Sequence, residues 1–275
     1  MIGKIIKNIS DNYSVLVDDE VIICKPCGKF RHLNIKPLVG DIVNINLEQK
    51  YITEIKPRKN YLLRPPVSNI DQVIIVTSVK EPDFSSILLD KMLTIIEFNN
   101  IEPIICFTKL DLLKNRLEIN KIIEYYKKIG YQVYLNTEID KLKPIFKNKI
   151  SVFTGQSGAG KSTLLNKLDS SLNIKTAPIS KALNRGKHTT RHTELLSVLD
   201  GLIADTPGFS SLSFNDMTNE DIRDCFREFN KYKDKCQYKN CMHINEPNCA
   251  VKKVLGKEIL LSRYENYLKF MKRGN

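Results

Sequence analysis

The sequence predicts a multi-domain α/β protein: a small N-terminal β-barrel, a central doubly wound and mostly parallel sheet, and a helical C-terminal domain built around a metal site. Three observations predict it. Five short alternating runs fill the first 55 residues, a glycine-rich loop lies between a strand pattern and a helix pattern, and three Cys and one His are closely spaced near the C-terminus. These features divide the chain into domains of residues 1–63, 64–214 and 215–275.

The N-terminal runs alternate apolar and polar residues and are separated by Asp-Asn, Asp-Asp and Val-Gly-Asp turns, which is typical of short strands in a small barrel. They cover residues 4–9, 13–17, 21–24, 41–47 and 51–55. Basic side chains near these runs are candidates for nucleic-acid phosphate contacts, the alternative being an ordinary solvated surface. They are Arg31, His32, Lys36, Arg58 and Lys59.

The glycine-rich segment Gly155-Gln-Ser-Gly-Ala-Gly-Lys-Ser162 fits the phosphate-loop pattern, between an apolar run at 149–154 and a helical run at 162–168. Its backbone N–H groups curl round a β-phosphate, Lys161 bridges the β- and γ-phosphates, and Ser162 ligates Mg²⁺. The segment therefore predicts nucleoside triphosphate binding. The predicted contacts are Gly155, Gln156, Ser157, Gly158, Ala159, Gly160, Lys161, Ser162 and Thr163.

Thr108-Lys-Leu-Asp111 follows the apolar run 103–107 and is similar to the Asn-Lys-x-Asp element that selects guanine. Asp111, expected to be a buried carboxylate, would accept hydrogen bonds from the guanine N1–H and 2-amino group, which adenine cannot offer. Lys109 would lie across the base, and Thr108 replaces the usual Asn. The element predicts that the nucleotide is GTP. A supporting guanine loop is expected near residues 135–137 but has no clear motif.

Asp205-Thr-Pro-Gly208 has the Asp-x-x-Gly form, in which Asp205 holds Mg²⁺ through water and the Gly208 amide senses the γ-phosphate. Ordinary GTPases run phosphate loop, Asp-x-x-Gly, guanine element, but here the guanine element comes first. The order predicts a circularly permuted GTPase domain. The segment after Asp205 then leads straight into the C-terminal domain, so we expect nucleotide state to reposition the chain beyond residue 213.

Cys236, Cys241, His243 and Cys249 form a closed four-ligand set suited to one structural Zn²⁺. Disulfides are the alternative. An odd total of seven Cys and a cytosolic nucleotide motif disfavour them. We expect Cys24, Cys27, Cys106 and Cys225 to be ordinary thiols.

Net charge is +12, which implies a polyanionic partner, although charge alone supports RNA binding weakly. No apolar run approaches the roughly 20 residues that span a bilayer. With Met1-Ile-Gly-Lys4 at the start and no targeting segment evident, we expect a cytoplasmic protein without membrane contact. We also expect a monomer.

The combination of motifs resembles one family, the small-ribosomal-subunit-dependent GTPases RsgA (also called YjeQ or EngC). Besides the permuted order and the Cys/His set, the resemblance includes five segments, with Lys187 where the family commonly has Arg. They are Arg64-Pro-Pro-Val67 with Asn69-Ile-Asp-Gln72, Gly186-Lys-His-Thr-Thr190, Asp205-Thr-Pro-Gly-Phe209 and Arg263-Tyr-Glu-Asn-Tyr267. It implies an oligonucleotide/oligosaccharide-binding (OB) barrel, the small ribosomal subunit and its rRNA as partners, and GTP hydrolysis during late subunit maturation, stimulated by the subunit.

Phe209 stands where many GTPases have the Gln that orients the attacking water, and it cannot hydrogen-bond. The resemblance points instead to His188, with Thr189 or Thr190 reaching Mg²⁺ and the γ-phosphate. A surface His in a mobile loop is the alternative. In the C-terminal domain, Lys252, Lys253, Lys257 and Arg263 face either RNA or water. Two other functions stay open from sequence: a kinase or ATPase, and a zinc-containing RNA-binding protein whose GTP site is mainly structural.

Overall fold

The computed structural model describes residues 1–63, 65–172, 193–205 and 213–272. Its first five strands match the five predicted runs within two residues at every end, and they form the N-terminal barrel. These are β1 (Ile2–Ile9), β2 (Asn12–Val17), β3 (Glu20–Pro26), β4 (Ile42–Asn46) and β5 (Tyr51–Ile55), with the short helix α1 (Lys29–His32) between β3 and β4.

The barrel closes because β1 pairs with β2 on one side and with β4 on the other. The strand order is β1-β2-β3-β5-β4. Ile5, Val15 and Val43 point into the barrel and are fully buried. Gly3 lets β1 pass close to β2, since a Cβ there would lie 2.5 Å from Val15 Cγ1.

A polar cluster fastens the barrel to the short hairpin of β6 (Tyr61–Leu63) and β7 (Pro66–Ser68). The buried carboxylate of Asp41 accepts hydrogen bonds from Arg58 Nε at 2.7 Å and Arg58 Nη2 at 2.8 Å. It also accepts from Ser68 Oγ at 2.6 Å. Arg58 was a candidate for phosphate contact, but its guanidinium is committed to Asp41. Lys59 is likewise ion-paired, with Asp71.

The central domain is a doubly wound sheet. Its strands are β8 (Gln72–Ser78), β9 (Glu102–Thr108), β10 (Gln132–Leu135), β11 (Ile150–Thr154), β12 (Thr193–Val198) and β13 (Gly201–Asp205). Their order is β10-β9-β8-β11-β13-β12. Every neighbouring pair is parallel except β12 and β13. All seven residues of β8 are buried, as expected for a parallel strand covered on both faces.

Helices cover both faces of this sheet. On one face α2 (Ser86–Phe98) and α3 (Leu117–Lys128) pack against the side of β8 that carries Val73 and Ile75. On the other, α4 (Ile139–Leu142) and α5 (Lys161–Leu168) pack against the side that carries Ile74 and Val76. The two apolar layers follow from the period-2 alternation of side chains along a strand.

The C-terminal domain is helical, with its core around Phe226, Phe229 and Tyr267. Its helices are α6 (Asn219–Asp224), α7 (Arg227–Asn230), α8 (Ala250–Lys253) and α9 (Leu261–Met271). Thr218 and Asp221 form a reciprocal capping box at the start of α6. The last helix begins only at Leu261, because Gly256 has a φ of +74° and its N–H donates to the Ile259 carbonyl oxygen in a turn. Among the described residues, no helix is long and apolar enough to cross a membrane.

Candidate nucleotide and metal sites

The phosphate loop occupies the predicted turn between β11 and α5. Gly155, Gly158 and Gly160 have φ values of +136°, +78° and +92°, which side-chain-bearing residues rarely adopt. A Cβ on Gly155 would lie 2.0 Å from the Val76 carbonyl oxygen, so only glycine fits there. The loop therefore passes tightly over the end of β8 and presents successive amides at the start of α5.

Lys161 and Ser162 begin α5. The Lys161 ammonium donates to the carbonyl oxygens of Gly155 at 2.7 Å and Gln156 at 2.8 Å, which holds it over the loop. Burial lowers the pKa of Lys161 below its ordinary value. Triphosphate oxygens at this position would favour the charged form instead, so the geometry suits a lysine that binds phosphate.

The guanine element follows β9 at the same edge of the sheet. Thr108 Oγ1 donates to the Ala159 carbonyl oxygen at 2.6 Å, which joins this element to the phosphate loop across 51 residues of sequence. Lys109 has a φ of +62°, and its ammonium donates to the Glu81 carbonyl oxygen. Thr108, in place of the usual Asn, thus retains a hydrogen-bonding side chain and uses it on the loop.

Asp111 lies in a 3₁₀ turn, Leu110–Leu112, and is exposed. The expectation of a buried carboxylate at this position is therefore wrong. Water is excluded from Asp111 only when a base covers it, so desolvation of the pair would come from the ligand.

Sequence reasoning missed the segment 79–85, which connects β8 to α2. Besides the contact of Glu81 with Lys109, the Pro82 Cδ atom lies 3.6 Å from where a Cβ on Gly158 would be. The Ser78 hydroxyl donates to the Pro82 carbonyl oxygen at 2.6 Å. The segment therefore lies against both nucleotide motifs. The loop after β10 is close as well, since the Asn136 N–H donates to the Phe107 carbonyl oxygen at 2.9 Å.

Asp205 ends β13, and the neighbouring strand of that sheet is β11, which leads into the phosphate loop. Parallel strands present their carboxyl ends at one edge, which is where ligands bind in open α/β sheets. The backbone of Asp205 is therefore placed beside the phosphate loop. The other predicted residues of the two switch segments, namely Gly186, Lys187, His188, Thr189, Thr190, Gly208 and Phe209, lie outside the described residues, as does Arg64.

The predicted metal ligands come together in the C-terminal domain. One donor atom from each of Cys236, Cys241, His243 and Cys249 lies within 4.8 Å of all the others. His243 Nδ1 is 3.3 Å from Cys249 Sγ and 3.7 Å from Cys236 Sγ. Zn–N bonds of about 2.0 Å and Zn–S bonds of about 2.3 Å place tetrahedral donors about 3.5–3.8 Å apart. The donor set and its spacing therefore fit zinc.

The loop that carries these ligands is held by its own hydrogen bonds. The Glu246 carboxylate accepts from the backbone N–H groups of Met242 and Ile244. Tyr264 donates to the His243 carbonyl oxygen at 2.6 Å. Lys252 donates to the carbonyls of Ile244 and Glu246, so its ammonium supports the loop rather than standing free for RNA.

Burial is the largest cause of the pKa shifts of Cys241 and His243. It raises the pKa of the Cys241 thiol to about 12 and lowers the pKa of His243. A neutral imidazole is the form that binds metal, and a coordinated thiol loses its proton outright. The His243 Nε2 atom is buried without a hydrogen-bond partner among the described residues, and Nδ1 is the nitrogen that faces the sulfur atoms.

Comparison with known proteins decides the family. A family model described as the RsgA N-terminal domain matches residues 2–53, and the RsgA GTPase model matches residues 55–215. The chain belongs to the RsgA GTPase family. The N-terminal domain is accordingly an OB-like barrel, and the central domain is a circularly permuted GTPase. The division at residues 63/64 and 214/215 stays a prediction.

Named RsgA relatives are similar over nearly their whole length. A "small ribosomal subunit biogenesis GTPase RsgA 2" from Oceanobacillus iheyensis is 49% identical, covering 98% of this chain and 96% of the relative. The Bacillus subtilis RsgA is 45% identical with the same coverage.

Two solved structures agree with the fold. The crystal structure of YloQ, a circularly permuted GTPase, superposes with a TM-score of 0.82 at 40% identity, covering 98% of this chain and 93% of that one. YjeQ from Thermotoga maritima superposes with a TM-score of 0.84 at 34% identity, covering 98% and 97%.

Proposed function

We propose that this RsgA-family protein binds the small ribosomal subunit and hydrolyses GTP there during late subunit maturation, and that the subunit stimulates hydrolysis. The observation that carries the nucleotide part is the Thr108–Ala159 hydrogen bond, which brings the guanine element and the phosphate loop into one site. The subunit part is supported by the names of the relatives and by the net charge of +12.

In the proposed mechanism the protein contributes mainly positioning and charge. Loop amides and Lys161 hold the β- and γ-phosphates, Asp111 reads the guanine edge, and Ser162 and Asp205 would hold Mg²⁺. When bound with GTP, Mg²⁺ supplies neutralisation of the charge that develops on the phosphates. Because phosphoryl transfer leaves little covalent chemistry for the protein, these fixed contacts act by positioning the reactants and stabilising charge.

We infer that His188 orients the attacking water, assisted by Thr189 or Thr190 near Mg²⁺ and the γ-phosphate. The chemical argument is that Phe209 cannot hydrogen-bond, whereas an imidazole accepts a proton or orients water near neutral pH. The proposal is supported by the resemblance of Gly186–Thr190 to the family's first switch.

We further propose one structural zinc ion per chain on Cys236, Cys241, His243 and Cys249. With four protein donors the set has no open position for a substrate, so the ion would contribute folding energy to the C-terminal domain rather than chemistry. The remaining proposals are that the OB-like barrel contacts rRNA and that the protein acts as a cytoplasmic monomer.

The deciding experiment measures GTP and ATP hydrolysis with and without purified small ribosomal subunits. We expect GTP to be hydrolysed faster than ATP, and the rate of GTP hydrolysis to rise strongly when small subunits are added. Lys161→Ala should lose turnover, because it removes a charge-assisted phosphate contact. A hydrolysis rate that does not change when subunits are added contradicts the proposal and favours an RNA-binding protein with a structural GTP site. Preference for ATP contradicts the guanine assignment.

A further inference from the structure

The N-terminal barrel is hydrogen-bonded directly to the GTPase sheet. Strand β1 pairs antiparallel with β12, with Lys7 opposite Glu194 and Asn8 opposite Thr193. One sheet therefore runs from β10 through the central domain into the barrel. Strand β12 would otherwise be the edge of the GTPase sheet, with its outer backbone groups unpaired.

The position of this junction matters because of the segments that adjoin it in the chain. Thr193 is the first residue of β12, and His188–Thr190 end three residues before it. In the next strand of the sheet, Asp205 is the partner of Glu194. Lys7, Glu194 and Asp205 thus form one cross-strand row, from a barrel strand to the ends of both strands that adjoin the switch segments.

The side chains of Lys7 and Glu194 reinforce the row. Lys7 Nζ lies 2.8 Å from Glu194 Oε2, with about a third of each side chain exposed. Asn8 is also the ladder partner of the buried Tyr13 on β2, which ties the same end of β1 to the barrel core. β1 is therefore held on one side by the barrel and on the other by β12.

The described part of this junction is nevertheless short. Among the residues that the structure describes, the β1–β12 ladder has two residue pairs and the β1–β2 ladder has five. Asn8 Oδ1 is buried and has no hydrogen-bond partner among the residues that the structure describes, which is costly. The unsatisfied acceptor lowers the free-energy cost of loosening the described part of the ladder, because a buried acceptor without a donor is already unfavourable.

We propose that β1 acts as a positioning element for GTP hydrolysis: through the Lys7–Glu194 pair and its pairing with the start of β12, a contact made by the barrel with nucleic acid changes how firmly that strand is held. This rests on the proposed function, because it explains how a subunit bound to the barrel increases hydrolysis at a distant site. Lys7 and Glu194 touch no substrate and act through the strand.

The test is a charge-swap cycle with Lys7→Glu, Glu194→Lys and the double variant. Each is assayed for single-turnover GTP hydrolysis alone and at saturating small subunits, so that weaker subunit binding does not enter the rate. Each single reversal places like charges opposite one another across the strands, and we expect it to lower fold stimulation about three- to tenfold. The double variant restores the pair in reverse and should recover most of the stimulation.

Lys4→Glu is the matched control, because Lys4 lies on the same strand but is paired with Leu16 and Ile42 rather than with β12. It should keep its stimulation at saturating subunits. Amide hydrogen exchange supplies a second readout, with faster exchange in residues 193–196 of each single variant and unchanged exchange in α3.

The outcomes separate the two proposals. If the unaltered protein shows no stimulation by subunits, the proposed function fails and this inference fails with it. If the unaltered protein is stimulated and both single reversals are stimulated equally well, the positioning role alone is overturned. Loss of stimulation in the singles without recovery in the double variant also overturns it, since the effect would then not run through the pair.

Discussion

Arg263 Nη1 donates to Asp90 Oδ1 at 2.5 Å between two side chains that are almost fully buried, 173 residues apart in sequence. Arg263 Nε also donates to Glu228 Oε1 at 2.6 Å. The pair joins α9 of the C-terminal domain to α2 of the GTPase domain. Arg263 was a candidate for an RNA-facing residue, and the structure shows that expectation to be wrong.

This contact also bears on how the C-terminal domain moves. In the sequence, the GTPase and C-terminal domains are linked by the chain after Asp205. That link is the basis for the prediction that nucleotide state repositions the chain beyond residue 213. The structure adds a second connection through α2, whose Asp90 also accepts from Tyr126 and Asn266. Any movement of the C-terminal domain must carry α2 with it or break this network.

We predict that Arg263→Met lowers the free energy of unfolding by about 3–5 kcal/mol, because it leaves the Asp90 and Glu228 carboxylates buried without their cation. Urea unfolding measures the change. Glu124→Gln, which removes the exposed Lys127–Glu124 pair, is the control and should change stability by less than about 0.5 kcal/mol. Equal small effects in both variants would show that the buried pair has no special role.

Asp111→Asn should weaken GTP binding by about 10- to 100-fold, the range for hydrogen bonds to a charged group. The same change should improve binding of xanthosine triphosphate, whose 2-carbonyl accepts from the new amide. Titration with both nucleotides measures the two affinities, with ATP as a reference that should not change. An unaltered GTP affinity would remove Asp111 from the guanine site.

Thr108→Val should weaken nucleotide binding several-fold, since it leaves the buried Ala159 carbonyl without its donor at a cost of about 1–3 kcal/mol. Thr108→Ser keeps the hydroxyl and serves as the matched control. Guanine nucleotide affinity and thermal unfolding are measured together. If Val and Ser variants bind equally well, the hydrogen bond does not hold the two motifs together.

Purified protein should contain one zinc ion per chain, and Cys241→Ser should unfold the C-terminal domain selectively, since structural zinc contributes folding energy directly. Metal analysis and limited proteolysis test this. GTP binding by the central domain should largely persist. Cys225→Ser, at a buried thiol outside the ligand set, is the control that should retain zinc. A metal-free protein with a native C-terminal domain would contradict the assignment.

His188→Ala should leave GTP affinity nearly intact and reduce subunit-stimulated hydrolysis by roughly 10²-fold, the scale of a positioned water-orienting group. The variant should then stay on the subunit, because the hydrolysis that relaxes the switch no longer occurs. His32→Ala, on α1 of the barrel, is the control and should hydrolyse GTP normally once bound. Unchanged single-turnover rates in His188→Ala would mean that another group orients the attacking water.

Sequence reasoning succeeded where a feature is built from neighbouring residues. The five barrel strands, the β11–loop–α5 unit and the order of the GTP motifs were predicted because alternation, glycine spacing and helical spacing act over a few residues. The metal ligands were also predicted, since they lie within 14 residues of one another, from Cys236 to Cys249. These sites can be predicted from the sequence because their residues lie close together in the chain.

The tertiary structure decided the features that join distant parts of the chain. Thr108 meets Ala159, Lys7 meets Glu194 and Arg263 meets Asp90 only after the sheet and helices have packed. Nothing in the spacing around Arg263 distinguishes a buried arginine from a solvated one, because a guanidinium is tolerated inside only when carboxylates from other elements surround it. The sequence by itself determined which chemical groups this protein has for GTP and zinc. Packing determined how its three parts are fastened together, because those contacts depend on long-range neighbours that local patterns do not encode.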